Sequence, residues 1–131
     1  MSAVSRVCFA AGVADTTHTL SRLDDGRVLL GELRFARSMG TRMKGLLGRR
    51  SLDEGEGLAF REKSIHMLFM RMPIDAVFCD GGLRVVKVVP HLRPWRFAAS
   101  RSARFVLEIA AGDAERLGLE PGVALRAEPP L

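Results

Sequence analysis

The residues best suited to chemistry lie in one apolar stretch, SIHMLFMRMPIDAVFCD, which spans residues 64–80. It holds a histidine, an arginine and two aspartates: His66, Arg71, Asp75 and Asp80. His66 or Asp75 could serve as a general base while Arg71 stabilises developing negative charge, as in hydrolase-type acid/base chemistry. Each residue also has a structural interpretation. His66 could be a hydrogen-bonded strand residue, Arg71 and Asp75 an ion pair, and Asp80 a turn residue.

Alternation along two predicted strands decides which of these side chains can meet. If the stretch begins as a regular strand, residues 65, 67 and 69 share one face and His66 points to the other. In the following strand, Asp75 faces away from Ile74. Pro73 cannot donate to a sheet ladder, so the chain turns, bulges or follows an edge there. A bulge shifts the alternation by one residue and would aim Arg71 and Asp75 at the same place.

Short strands and turn signals fill most of the chain. The segment RVLLGELRFA (27–36) has strand-type composition, and Asp80-Gly81-Gly82 between two apolar runs predicts a hairpin. An apolar stripe predicts a short helix over residues 39–47. A second short helix is predicted from Asp113, as its cap, to Leu117.

We therefore predict an α+β fold that is predominantly β: a curled or barrel-like, mostly antiparallel sheet with two short helices. Residues 1–26 would form a partly ordered N-terminal extension, and residues 27–131 a single β-rich domain. A chain of 131 residues is long enough to bury a core of its own.

The placement of cysteine and histidine argues against a metal or redox site. Cys8 and Cys79 are too few for a disulfide framework and form no paired spacing. The three histidines, His18, His66 and His91, are scattered. We expect no metal and no cofactor, and we expect Cys79 to behave as a small hydrophobic residue.

The net charge of +5 is distributed unevenly along the chain. Six basic residues and no acid lie between Glu32 and Asp53, and six more lie between Asp80 and Glu108. Such zones could hold a carboxylate or a phosphate, although a high-GC coding bias is the simpler explanation of the abundant arginine. Nucleic-acid binding through these zones is a further alternative. The aromatic residues are few and we expect them to be buried, so the sequence disfavours nucleic acid.

The sequence shows no apolar run of the roughly 18–20 residues that a transmembrane helix needs. The N-terminal VCFAAGVA is short for the apolar region of a secretory signal. We therefore expect a cytoplasmic protein.

An ordered set of motifs resembles the domain of unknown function 192 family. The motifs are R-x-x-G-L-L-x-R at 42–49, then L-A-F, SIHMLFMRMPIDAVFCD, LRVVKVV and ARFVLEIAAGDAERLGLEPG. The resemblance covers residues 29 to 127. It implies a compact β-rich fold found in bacterial and archaeal proteins, some of which carry signal peptides, so a periplasmic location stays open. It implies no reaction.

The resemblance also places the family's polar positions in this chain. They are Arg49, Ser64, His66, Arg71, Asp75 and Glu108. We predict these six as the ligand-binding residues, with Trp95 as either a wall of the pocket or a hydrophobic plug. This chain departs from the family where His66 to Arg71 replaces an aromatic-Met-Lys-Asn run. It departs again at Val123, where the family usually has an aspartate.

The leading functional prediction is a non-catalytic domain that binds a small ligand or a protein partner. Its polar pocket would contain His66, Arg71 and Asp75, with Arg49 adding positive charge, and would favour an anionic or sugar-like ligand. The alternative is an enzyme that uses His66 and Asp75 for acid/base chemistry. The sequence does not specify an oligomeric state.

Overall fold

The computed structural model describes residues 16–36, 52–53, 55–67 and 70–131. These residues form nine strands and one short helix. The strands are β1 (Thr16–Arg22), β2 (Val28–Phe35), β3 (Glu56–Phe60), β4 (Ser64–His66), β5 (Ile74–Cys79), β6 (Val85–Leu92), β7 (Phe97–Ala99), β8 (Phe105–Ala110) and β9 (Leu125–Glu128). The helix, α1, is Asp113–Arg116.

Seven strands form one curled sheet in the order β6-β5-β8-β3-β2-β1-β9. Neighbouring strands are antiparallel except β2 and β3, which are parallel. β4 and β7 form a separate antiparallel pair, which we call the ribbon. The predicted fold, predominantly β with a curled and mostly antiparallel sheet, is confirmed. The apolar runs of β5 and β8 lie inside the sheet, whereas the edge strand β6 carries Lys87 and Pro90, which discourage pairing with another chain.

The large sheet is covered on both faces, and its apolar residues alternate between them. On one face, the helix side, Val77 and Leu107 pack in a cluster with Ala114 and Leu117 from α1 and the turn after it. On the other face, the ribbon side, the cluster contains Ala76 and Val106 from the sheet and Ile65 and Ala98 from the ribbon. Every side chain of β5 and β8 therefore belongs to one of two layers, and this decides which polar residues can meet.

The sheet begins earlier than the sequence predicts. β1 falls within residues 1–26, which were expected to form an extension, yet it pairs with both β2 and β9. Its segment TTHTLSR is mostly polar, and its inward positions are filled by His18 and Leu20, both buried. β1 was not predicted because its composition is polar. Its stability comes from pairing with β2 and β9 rather than from its own apolar content.

The second predicted helix is confirmed as α1, but its cap is one residue earlier than expected. Gly112, at φ 95, is the cap, and Asp113 is the first helical residue. The oxygen that accepts the N–H groups at this end comes from Asp75 of β5, so no capping side chain within the helix is required. The first predicted helix, over residues 39–47, lies outside the described residues. No helix in the described part of the chain is long and apolar enough to cross a membrane.

Candidate functional site

Asp75 is completely buried, and its carboxylate binds backbone groups from two other elements. Oδ1 accepts the N–H of His91 at 2.9 Å. Oδ2 accepts the N–H groups of Gly112 at 3.0 Å and Ala114 at 2.8 Å. These bonds tie the edge strand β6 to the start of α1. With both oxygens occupied by backbone donors and no solvent access, this carboxylate is arranged to support structure rather than to take a proton from a substrate.

A bulge in β6 explains why position 75 holds a side chain that accepts hydrogen bonds. Ile74 pairs with Leu92 and Ala76 with Val89, so Pro90 and His91 together face Asp75. Pro90 has no N–H to give, and His91 adopts φ 50, so the normal ladder cannot form at this point. The Asp75 carboxylate replaces the missing acceptor for His91. Of the alternatives considered at Pro73, a turn, a bulge or an edge, a bulge is found in the pairing of β5 with β6, where the extra residue lies on β6. Pro73 itself directly precedes β5.

His66 lies in a different layer from Asp75. Its Cα is opposite that of Phe97 in the ribbon, and Ser64 is opposite Ala99. Between them, Ile65 is buried against the ribbon side of the large sheet, so Ser64 and His66 face outward. Asp75 contacts the backbone at the start of α1, on the opposite side of the large sheet. The structure does not bring the two predicted catalytic residues together.

Three chain segments meet at the backbone of Met67, and we call this corner the Met67 junction: residues 64–67, 70–73 and 93–97. The Met67 carbonyl accepts the N–H of Trp95 at 2.7 Å and of Met70 at 3.3 Å, and the Met67 N–H donates to the Arg96 carbonyl at 2.8 Å. The junction is anchored by buried methionines, Met67, Met70 and Met72, which pack into the ribbon-side cluster. The exposed side chains at this corner come from two of the segments, residues 70–73 and 93–97.

The exposed side chains of the Met67 junction are basic and aromatic. Arg71, Arg93 and Arg96 are exposed, and none of them forms an ion pair or a side-chain hydrogen bond in the part of the chain that the structure describes. Trp95 is 60% exposed and Phe97 is 68% exposed. The expectation that the aromatic residues are buried is therefore wrong for these two, and Trp95 is not a plug. Such a surface suits an anion that also carries a flat or apolar part.

Arg93 to Arg96 form a turn that fixes Trp95. The Arg96 N–H donates to the Arg93 carbonyl at 3.2 Å, and Pro94 occupies the second position. Trp95, in the third position, adopts φ 70. Proline followed by a residue with positive φ is the pattern of a type II turn, in which the third position strongly favours glycine. A bulky indole therefore occupies a strained position and is held outward there.

Glu108 is a buried residue on the ribbon side, in the middle of the large sheet. It pairs in register with Leu58 of β3 and Ala76 of β5, and Leu58 pairs in turn with Arg34 of β2. Glu108 does not face solvent, because its exposure is 0%. Arg71, Arg93 and Arg96 form no ion pair in the described part of the chain, so none of them is the partner of this carboxylate.

A buried ion pair that the sequence did not single out lies along the same face. Arg34 donates from Nη2 to Glu56 Oε2 at 3.2 Å, and each side chain is 9% exposed. Glu56 also accepts the N–H of Asp53 through Oε1 at 2.9 Å. The signal available in the sequence was an arginine and a glutamate at inward positions of two strand-like segments. Strand pairing between β2 and β3 was needed to bring them together.

The remaining predicted positions do not add chemistry to the site. Cys79 is buried, and burial raises the pKa of its thiol to about 12, so it is a poor nucleophile. Asp80 accepts the N–H groups of Gly82 and Arg84 and closes the hairpin between β5 and β6, as predicted. Arg49 lies outside the described residues. Within the described ranges, no group of three histidine, cysteine, aspartate or glutamate side chains could hold a metal ion.

Comparison with solved structures identifies chains with the same fold. A protein of unknown function from Novosphingobium aromaticivorans is 25% identical, with a TM-score of 0.70 over 88% of this chain and 89% of that one. A protein from Sinorhizobium meliloti, provisionally described as a transcription regulator, is 26% identical, with a TM-score of 0.73 over 88% of this chain and 95% of that one.

Sequence comparison identifies relatives in two archaea, both known as UPF0127 proteins. The Thermococcus sibiricus protein is 29% identical over 103 residues, and the Pyrococcus furiosus protein is 40% identical over 60 residues. These matches cover 74% and 45% of this chain, and they span 66% and 51% of the relatives' own lengths. The sequence model of DUF192, described as an uncharacterized family, matches residues 21–127. The chain therefore belongs to the DUF192 family.

Proposed function

We propose that this chain is a non-catalytic binding domain that takes an anionic ligand on the Met67 junction. The observation that carries the proposal is the set of three exposed arginines there, Arg71, Arg93 and Arg96, which have no ion pair in the described structure. Arginine presents a rigid fork of N–H donors that matches the oxygens of a carboxylate or phosphate. A negatively charged ligand would supply the partners that these side chains lack.

Charge along the rest of the corner supports the same ligand class. The exposed acidic residue nearest in sequence to the first segment of the Met67 junction is Glu62, and it lies between two basic residues, Arg61 and Lys63. From Gly81 to Leu107 the chain carries six basic residues and no acid. A surface of one sign attracts ligands of the opposite sign and raises their association rate, most strongly at low salt.

The geometry of the two candidate bases favours binding over catalysis. Asp75 is buried beneath backbone donors, and His66 faces outward from the ribbon on the far side of the large sheet. An acid/base reaction needs its groups within hydrogen-bond reach of one substrate. Binding needs only the exposed corner. The provisional description of the Sinorhizobium meliloti protein as a transcription regulator is consistent with an anionic ligand.

The test is a titration of the purified chain with a panel of anions at low salt, followed by thermal shift. The panel contains inorganic phosphate, polyphosphate, phosphosugars, carboxylates and neutral sugars. A ligand that binds only the folded chain stabilises it by mass action and so raises the melting temperature. The gain in the free energy of unfolding is about 2.7 kcal/mol at a hundredfold excess over the dissociation constant. We expect anions to raise it and neutral sugars to leave it unchanged.

The decisive variant is Arg93→Ala/Arg96→Ala, which should abolish the shift. Its matched control is Arg27→Ala/Arg126→Ala, which removes the same charge from exposed positions in the β1–β2 turn and in β9. An equal loss in both double variants would mean that net charge alone is responsible and would contradict the site. A flat panel, or a shift given by neutral sugars alone, would overturn the proposal.

A further inference from the structure

We infer that the ligand of the Met67 junction is single-stranded nucleic acid, whose bases stack on Trp95 and Phe97 while Arg71, Arg93 and Arg96 contact its phosphates. This inference rests on the anion-binding function proposed above and names the class of ligand. It contradicts the prediction from sequence, which disfavours nucleic acid because the aromatic residues are expected to be buried. With exposures of 60% and 68%, Trp95 and Phe97 remove that objection.

The arrangement of cations and aromatics in this segment is the first argument. Residues 93–97 read Arg-Pro-Trp-Arg-Phe, so two arginines alternate with two aromatic side chains along a single exposed run. Proteins that bind single strands without sequence preference combine a positive surface along the backbone with aromatic side chains for the bases. His66, opposite Phe97 on the outer face of the ribbon, adds a third ring at the same end.

The backbone at Trp95 is the second argument. A turn with positive φ in this position would form most easily with glycine, yet the chain places its single tryptophan there. The Trp95 N–H is fixed by the Met67 carbonyl at 2.7 Å, so the buried methionines of the junction hold the strained turn in place. A strained residue that is more than half exposed is better explained by contact with a ligand than by core packing.

Other anionic partners use less of this surface. Duplex DNA buries the faces of its bases, so it would contact the arginines and leave the two rings without a stacking partner. An acidic peptide would pair with the arginines but offers no regular series of flat rings. Polyphosphate offers charge alone. A single strand is the partner whose repeating unit contains both a phosphate and an exposed ring.

The test uses the intrinsic fluorescence of Trp95, which reports on this site alone because the chain has one tryptophan. The probes are a twelve-nucleotide oligothymidylate, an abasic deoxyribose-phosphate of the same length, polyphosphate, a polyglutamate peptide and a short DNA duplex. We expect oligothymidylate to quench Trp95 and to bind at least tenfold more tightly than the abasic strand. The affinity should fall steeply as salt increases, because counterions are released.

Variants of Phe97 separate stacking from charge and leave the Trp95 reporter intact. Phe97→Ala should weaken oligothymidylate about 5- to 150-fold, the equivalent of about 1–3 kcal/mol per stacked base, and should barely change polyphosphate binding. Phe97→Tyr keeps a ring and should retain the wild-type affinity, whereas Phe97→Leu should behave like Phe97→Ala. Arg93→Ala/Arg96→Ala should lower the slope of log affinity against log salt by about 1.4, close to 0.7 for each lost charge.

The outcomes distinguish this inference from the proposed function. Equal binding of oligothymidylate and the abasic strand, without quenching of Trp95, overturns stacking while anion binding stands. Tighter binding of polyglutamate or of the duplex than of oligothymidylate overturns the single strand as the partner and also leaves anion binding in place. Failure of every probe to bind at low salt overturns both. Circular dichroism of each Phe97 variant confirms that it is folded, so a loss of affinity cannot be attributed to unfolding.

Discussion

Asp75 and the arginines of the Met67 junction are both charged groups near the ends of the same strands, and they are used in opposite ways. Asp75 is fully buried and its oxygens accept three backbone N–H bonds. Arg71, Arg93 and Arg96 are exposed and have no ion pair in the part of the chain that is described. A buried charge is tolerated only when the protein supplies its partners, whereas an exposed charge is solvated by water and stays available to a ligand.

Residue type alone therefore does not identify a site. The sequence placed Arg71 and Asp75 four residues apart and suggested that they converge. The structure uses them differently, because Asp75 is buried and binds the start of α1 on the helix side, whereas Arg71 is exposed between Met70 and Met72, which pack on the ribbon side. What decides the role of each residue is the layer to which its side chain belongs.

Removing the buried carboxylate of Asp75 should destabilise the chain most strongly. Asp75→Ala leaves the N–H groups of His91, Gly112 and Ala114 without their acceptor. A buried donor without a partner costs about 1–3 kcal/mol, so we expect the free energy of unfolding to fall by about 3 kcal/mol or more. Urea denaturation measures the loss, and faster hydrogen exchange at these three amides assigns it to this carboxylate.

The matched comparison on the exposed surface is Arg96→Ala, which should change the free energy of unfolding by less than about 0.5 kcal/mol. Asp75→Asn keeps the shape and one oxygen acceptor, so it should lie between the two. If Asp75→Ala unfolded at the same urea concentration as the wild type, the structural role assigned to Asp75 would be wrong, and the contrast between the two regions would disappear.

A smaller effect is expected from adding one methyl group to the helix side. A Cβ at Gly57 would lie 3.0 Å from Leu30 Cδ1 and 3.2 Å from both Ile109 Cγ2 and Leu33 Cδ1. These contacts are shorter than ordinary van der Waals contacts, and Leu30, Leu33 and Ile109 are themselves packed in the helix-side cluster, so we expect Gly57→Ala to destabilise the chain by about 1–3 kcal/mol. Gly31→Ala is the control, since a Cβ at Gly31, on the exposed side of β2, meets nothing within 4 Å. Equal urea midpoints for the two variants would show that the helix side is less tightly packed than the structure indicates.

The sequence was sufficient to predict the features that depend on local chemistry. Alternation in β5 assigned Ile74 and Asp75 to opposite faces, and the structure confirms it: Ile74 packs in the ribbon-side cluster, while Asp75 binds the start of α1 on the helix side. The Asp80 hairpin and, apart from its cap, the helix at Asp113 were also predicted correctly, because each depends on a few neighbouring residues.

Features that depend on distant pairing could not be predicted. Asp75 meets Gly112 and Ala114 across gaps of 37 and 39 residues, and Arg34 meets Glu56 only because β2 and β3 are parallel. The exposure of Trp95 was also hidden, since an aromatic residue is more often buried and nothing local to residues 93–97 shows that they follow an outer corner. Membership of a layer is a property of the assembled sheet.

The buried thiol of Cys79 predicts that the free energy of unfolding depends on pH. Burial raises the pKa of the Cys79 thiol from 9.0 to about 12. The folded chain therefore keeps this proton while the unfolded chain releases it, so stability is unaffected below pH 9 and falls between pH 9 and 12. At pH 10 the loss from this group should be about 1–2 kcal/mol.

Cys79→Ala isolates the contribution of the thiol. The difference in free energy of unfolding between the wild type and Cys79→Ala should shift between pH 8 and pH 10, because only the wild type carries the titrating group. In a Cys8→Ser background, Cys79 should resist alkylation at pH 8 until the chain is denatured. Rapid alkylation of the folded chain would show that the thiol is accessible and would remove the basis of the pH prediction.

A small effect on stability is also expected at Trp95, where substitution separates a binding residue from a packing residue most directly. Trp95→Gly relieves a positive φ of 70, which costs a non-glycine residue about 1–2 kcal/mol, and glycine's greater freedom in the unfolded chain offsets part of the gain. We therefore expect stability between unchanged and about 1 kcal/mol higher, measured by circular dichroism in urea, together with loss of oligothymidylate binding.

Leu83→Gly is the control, because Leu83 has φ 63 but is 9% exposed and packs in the helix-side cluster. It gains the same backbone relief and loses a buried leucine, so it should be destabilised by about 2–5 kcal/mol. If Trp95→Gly were destabilised as strongly as Leu83→Gly, the indole would be a packing residue. The Met67 junction would then resemble the buried region around Asp75 instead of contrasting with it.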